Sequence, residues 1–232
     1  TAAEVAPVAA AAERRGVVVK VGFNHRFHPA LRKAHALFQA GEIGPPMFIR
    51  ARYGHGGRVG YEQEWRCDKE ASGGGELIDQ GAHLIDLSRW FLGDLTLDYA
   101  ALPTCYWNIG VEDNCFLALR GAGGTIAWLH ATWTEWKNTF WFEVAGRDGK
   151  LTVEGLGGSY GVERLTLHKM LPEMGPPETT TWEYPFPDRS WEAEFDDFIR
   201  AAAGGGRASG DIRDACAMLE LIDQAYSRNP QP

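Results

Sequence analysis

The chain has 232 residues, 44% of them hydrophobic and 23% charged. That is the balance of a soluble globular protein, with room for one large domain or for one domain plus a fragment of another. A formal net charge of −8, with no Lys/Arg-rich run, argues against a nucleic-acid surface and points to small-molecule partners.

No apolar run approaches the roughly 20 residues that span a bilayer, and no basic-then-apolar signal segment opens the chain. Cys67, Cys105, Cys115 and Cys216 are widely spaced and form no C-x-x-C pair. A zinc ribbon or dense disulfide framework is therefore not expected, and a reducing cytoplasmic setting is. Thr1 replaces an initiator methionine and a helical pattern begins at once, so the chain reads as part of something longer.

In chain order, Thr1-Ala2-Ala3-Glu4 matches a capping box, Arg14 and Arg15 suit a helix C-terminus and Gly16 can close it. Pro7 lies past the first turn, which predicts a kink or a later helix start. Val17 to Phe23 reads as a short buried strand, an apolar β-branched run suited to a parallel sheet. A polar loop, Asn24 to His28, leads to a helix from Pro29 to about Ala40. Met47 to Tyr53 alternates as a strand with Phe48, Arg50 and Arg52 on its polar side. A loop rich in Gly, Arg, His and Trp, including His55, Arg58, Trp65 and Arg66, precedes a helix over 76–92. Beyond Leu97 the pattern is alternating strands, 114–120, 125–136, 140–145, 150–154, 164–170 and 180–184, and then two closing helices, 191–202 and 212–227. The expected fold class is α/β (α+β): the end of a Rossmann-type unit, then a mostly antiparallel open sheet with helices on one face.

The sharpest local signal is Gly73-Gly74-Gly75-Glu76-Leu77-Ile78-Asp79-Gln80-Gly81-Ala82-His83. On a regular helix Asp79 and His83, four apart, stack on one face with Asp86 three further along. An imidazole near neutrality can take a proton from a hydroxyl while a carboxylate fixes the ring and favours its charged form. The plain alternatives are a solvated i,i+4 ion pair, or a metal site with His55 as third ligand. Gly81, costly in mid-helix, implies close approach by a ligand or by neighbouring backbone. His25, His28, His35, His130 and His168 read as surface or satisfied half-buried residues, and the Trp133–Phe142 aromatics as sheet packing or a subunit contact.

Asn24-x-Arg26-Phe27-x-Pro29, Gly41-Glu42-Ile43-Gly44, Trp65-Arg66, Ser72-Gly73-Gly74-Gly75 and Asp79-x-Gly81-x-His83-x-x-Asp86, in that order, resemble the Gfo/Idh/MocA oxidoreductases. The resemblance is close over Thr1 to about Gly93 and rests on pattern beyond it. It implies an N-terminal Rossmann domain binding NAD or NADP and a C-terminal α/β domain that faces a sugar-like substrate. Residues 1–28 would be the remnant of the first and residues 29–232 the second. The glycine-rich fingerprint and the Glu-Lys-Pro segment of that family do not occur in this sequence.

By matching position, His83 looks like the acid/base and Asp79 like its partner, while Asn24, Arg26, Trp65 and Arg66 fall at the cofactor. His55, Arg58 and Arg52 are expected at the substrate, their bases hinting at a carboxylate or phosphate on it. No resident metal is expected, and the open sheet is expected to form a homo-oligomer. The rival readings are a non-catalytic assembly or regulatory homologue and a metal-dependent enzyme using Asp79 and His83.

Overall fold

The computed structural model describes residues 1–229. Helix α1 (Ala2–Arg15) has the expected capping box at Thr1 and a left-handed Gly16 that closes it. It starts at Ala2 and continues past Pro7, so the later start is not observed. Pro7 is exposed, and in mid-helix it forgoes one backbone hydrogen bond and presses its ring on the carbonyl four residues back. The run 17–23 is not a buried strand. Val17 is 55% exposed, and the run pairs with the 210–212 segment through one antiparallel bridge, Lys20 to Asp211, with Val21 N–H to Gly210 O and Ile212 N–H to Val19 O both 3.1 Å. Apolar side chains set a strand's face, but a ladder needs a partner strand, and a single bridge does not extend into one.

A 3₁₀ turn (Asn24–Phe27) leads to α2 (Pro29–Gln39), with Pro29 in the first turn where its missing N–H costs nothing. One sheet holds the rest together. Its strands are β1 (Pro46–Gly54), β2 (Leu95–Ala101), β3 (Asn114–Gly121), β4 (Ile126–Thr132), β5 (Thr139–Gly146), β6 (Gly149–Glu154), β7 (Glu163–Lys169) and β8 (Glu178–Tyr184). The order is β2-β3-β4-β1-β5-β6-β7-β8. Only β1 and β4 run parallel, and every other pairing is antiparallel. The expected mostly antiparallel open sheet is therefore present.

The single turn α3 (Lys69–Ser72) precedes α4 (Ala82–Leu92), and α5 (Ser190–Ala202) and α6 (Ile212–Arg228) close the chain. Helices α2, α4 and α6 lie on the sheet and α1 on α6. Alternation sends Ile49, Ala51, Leu117, Leu129, Phe142, Val144, Leu151 and Leu165 into one core beneath them. The opposite face carries Arg50, Arg52 and Trp128 at 48% exposure. Strand β4 stops at Thr132, short of the expected Trp136, because Trp133 turns inward and is fully buried with Tyr61, Cys67 and Val111. Gly56 backs directly onto the turn: a Cβ there would lie 2.6 Å from Trp136 Cα. Among the described residues no helix is long and apolar enough to cross a membrane.

Candidate active site

The expected helix over 76–92 is not uniform. Leu77–Gly81 forms a π-helical turn before α4, and such wide turns re-aim the side chains they carry. The glycines before it are dictated by packing. A Cβ on Gly75 would lie 2.0 Å from Glu112 O, and one on Gly74 2.0 Å from the Tyr226 hydroxyl. The Glu112 backbone and the Tyr226 hydroxyl fill the space so gained, and the Glu112 carboxylate accepts from Gly75 N–H (3.1 Å), Leu77 N–H (3.0 Å) and the Tyr226 hydroxyl (2.8 Å). A carboxylate at helix-start N–H groups satisfies donors with no intrahelical partner. Gly81 serves packing too, since a Cβ there would meet Cys115 Sγ of β3 at 3.0 Å. Its close neighbour is the sheet.

The helix start faces a cleft of about 390 Å³ that contains Tyr53, His55, Arg58, Tyr61, Glu64, Arg66, Asp79, Gln80, His83 and Tyr160 in its walls. Asp79 and His83 both reach it, but no hydrogen bond joins them among the described residues. Asp79 Oδ2 lies 3.4 Å from Arg66 Nε. His83 instead stacks on His25, centroids 4.0 Å apart and planes 19° from parallel, and its Nδ1 is buried without a partner. Burial, helped by nearby His28, lowers His83 to about 4. The ring is thus neutral near pH 7, whereas the sequence pattern had a carboxylate favouring the charged form. Gln80 donates to the Tyr160 hydroxyl (3.0 Å) and keeps a buried Oε1 unpaired. Glu76, one turn before Gln80, is wholly buried, and desolvation raises its carboxyl well above the usual range.

The remaining expected residues divide. His55 lines the cleft and accepts from Gly57 N–H (2.9 Å). Arg58 lines it too, bound to Glu64 at 2.5 Å. Arg66 sits between Asp79 and Glu64 and over the Trp65 ring, 4.8 Å from its centroid, and the Trp65 indole is 59% exposed. Arg52 is on the other face of the sheet, near Glu135, because it alternates with Tyr53 along β1. Asn24 and Arg26 are buried and engaged within the protein. Asn24 Nδ2 donates to Ser190 Oγ (3.0 Å), and Arg26 binds Asp86 through two bonds (2.8 and 2.6 Å) and Asp214 through one (3.2 Å). The cleft thus pairs two arginines, Arg58 and Arg66, with two carboxylates, Glu64 and Asp79, and offers no surplus positive charge for an anionic group. Among the described residues no three His, Cys, Asp or Glu groups are placed to share a metal ion.

Sequence reasoning missed Tyr53, Tyr61, Glu64, Gln80 and Tyr160 in the cleft wall, and His25 beneath His83. Gln80 was legible in principle, next to Asp79 on the same turn. His25 was not, since its neighbours come from distant segments. His28, expected at the surface or half-buried, is fully buried against Glu163 at 3.0 Å.

Residues 31–152 match the family model of the GFO/IDH/MocA C-terminal domain. The chain is 32% identical over 165 residues to the 1,5-anhydro-D-fructose reductase of Ensifer adhaerens, covering 68% of this chain and 47% of that protein. It is 24% identical over 238 residues to the D-apiose dehydrogenase of Paraburkholderia graminis, covering 97% and 61% respectively. The chain thus spans about half the length of the curated relatives it matches. Among solved structures, a levoglucosan dehydrogenase in complex with NADH and levoglucosan superposes with a TM-score of 0.84 at 22% identity, over 98% of this chain and 69% of that one. An aldose-aldose oxidoreductase from Caulobacter crescentus complexed with glycerol gives 0.79 at 21%, over 98% and 66%. These two likenesses are of fold.

Proposed function

This chain belongs to the Gfo/Idh/MocA family, and from that membership we propose that it is the substrate-facing part of an NAD(P)-dependent dehydrogenase. The reaction moves hydride between the nicotinamide and a hydroxyl-bearing carbon of a sugar, sugar derivative or polyol, with His83 as acid/base. On this reading residues 1–28 close the dinucleotide-binding domain and residues 29–232 hold the substrate. The observation that carries it is His83 itself: a neutral imidazole in the cleft wall, its buried Nδ1 without a partner, flanked by side chains suited to hydroxyl groups. Relatives named as a reductase of anhydrofructose and as dehydrogenases of apiose and levoglucosan support a sugar-like substrate.

Cofactor and chain share the chemistry. The nicotinamide, when bound, takes or returns the hydride. His83 receives the hydroxyl proton as the carbonyl forms and returns it in the reverse direction. Asp79, held by Arg66, and Gln80, held by Tyr160, accept from or donate to neighbouring hydroxyls and fix which carbon faces the cofactor. The exposed Trp65 ring with Arg66 beside it fits the nicotinamide end of a dinucleotide. Asn24 and Arg26 contribute by position rather than contact, through His25 and Asp86. The even charge count of the cleft favours a neutral sugar over a sugar acid or phosphate. A second copy of the chain covers the open sheet face, and the setting is cytoplasmic, in keeping with four free cysteines.

The test is His83→Ala in the full-length protein. Turnover should fall at least ~10²-fold while cofactor affinity holds. Unchanged turnover would instead favour a non-catalytic assembly role. In a substrate panel, neutral aldoses should be turned over in preference to aldonates or sugar phosphates.

A further inference from the structure

Directly behind His83 lies His25, only 4% exposed, on the 3₁₀ turn between α1 and α2. The two rings overlap face to face at 4.0 Å. His25 is keyed from its far side: its Nδ1 lies 3.1 Å from Asn24 Oδ1, and Asn24 Nδ2 donates to Ser190 Oγ at the start of α5. Because Asn24 Oδ1 can only accept, His25 Nδ1 must carry the hydrogen. That leaves Nε2 as a bare lone pair, buried and without a partner. A second ring proton would have to sit on Nε2, where no acceptor waits, so the hydrogen-bond geometry itself holds His25 in one neutral tautomer.

The groups around the pair come from several elements. His28 packs edge-on to His25 at 5.7 Å, and Tyr53 of β1 approaches His25 at 5.2 Å and His83 at 6.5 Å. Phe140 of β5 closes the apolar side at 5.9 Å from His25. Asp79 lies on His83's own helix, its carboxylate turned to Arg66, with Glu76 and Tyr160 beyond Tyr53. Nothing among these opposes the stack with a fixed positive charge.

We propose that His25 is a positioning residue for His83: a neutral imidazole platform, keyed by Asn24 and Ser190, that fixes the ring plane and keeps water from its buried face. The inference rests on the acid/base reading of His83 for its catalytic meaning, yet the stack can be tested without turnover. Asn24, expected at the cofactor, thereby acquires a different role, the selection of the His25 tautomer. Stacked aromatic surfaces hold a flat ring in place while leaving its edge free to exchange a proton.

The measurement is ring ¹⁵N and ¹³C NMR of the ligand-free chain across a pH series, on wild type, His25→Ala and His25→Phe. In the wild type, His25 should give the Nδ1–H tautomer and His83 should stay neutral to about pH 4. His25→Ala opens the buried face to water, so the His83 midpoint should rise by roughly one unit or more toward its ordinary value. His25→Phe restores the stacked face and should return it to within about half a unit of wild type. In the full-length enzyme kcat should follow the same order, reduced roughly tenfold in His25→Ala and recovered in His25→Phe, with KM changing less.

A wild-type His25 in the Nε2–H tautomer overturns the proposal without any variant. So does a His83 titration unchanged in His25→Ala, or one displaced in His25→Phe. If instead the titrations behave as expected while His83→Ala retains full turnover, the platform stands and the acid/base reading fails.

Discussion

His83 owes its state to burial more than to any charged neighbour. Asp79, four residues away, is bound to Arg66 instead, and burial, with a smaller contribution from nearby His28, lowers the imidazole to about 4. The sign of the linked stability follows. A midpoint below the ordinary value of about 6.5 means that the unfolded chain binds the proton more tightly, so stability is full above that value and is lost as pH falls through about 4. Urea unfolding at about pH 7 and about pH 4.5 should therefore show wild type losing stability relative to His83→Phe on acidification. A pH-independent difference would mean a hydrated ring that titrates normally. At this scale the sequence was a good guide to residue type and a poor one to partner. The Asp-x-x-x-His spacing located both side chains in the cleft wall, but the π turn and Arg66 decided what each one touches.

The element that matters most is the helix running from the glycine triplet to Leu92. Its start is moulded around Glu112, and its middle is tied down by the buried Arg26–Asp86 pair. Gly75→Ala places a methyl group on Glu112 O and should cost about 3 kcal/mol, the upper end for overpacking. Gly73→Ala meets nothing within 4 Å and suffers only its left-handed φ of 80°, a penalty of about 1 kcal/mol. Thermal unfolding of the two variants should rank them in that order, and equal losses would refute the packing account of the triplet. Asp86→Asn removes one partner of a buried pair and should cost about 3 kcal/mol, the remaining Asp214 contact limiting the loss. Calorimetry on this variant would show a marginal change if the pair were instead open to water. The limits of α2, α5 and α6 were legible, because capping residues, Pro29 and flanking glycines act locally. The supposed strand over 17–23 failed for the opposite reason, a ladder being a property of two segments.

Among the described residues, eight strands leave one face under helices and the other uncovered, with Trp128 and Tyr99 stacked on it at 6.3 Å. An uncovered aromatic patch of this kind favours self-association. Sedimentation should give a dimer or larger for wild type and a monomer for Trp128→Glu, and a monomeric wild type would refute the assignment of that face to a second copy. Hydrophobic alternation and turn residues were enough to read a mostly antiparallel sheet with helices on one side, since those signals repeat every few residues. The ordered run of motifs from Asn24 to Asp86 likewise marked the family and the helix proposed to carry the chemistry. Packing alone joined Arg26 to Asp86 and set His25 beneath His83. Each of those contacts joins segments far apart in the chain, and which ones meet is decided by strand register and helix docking rather than by local spacing.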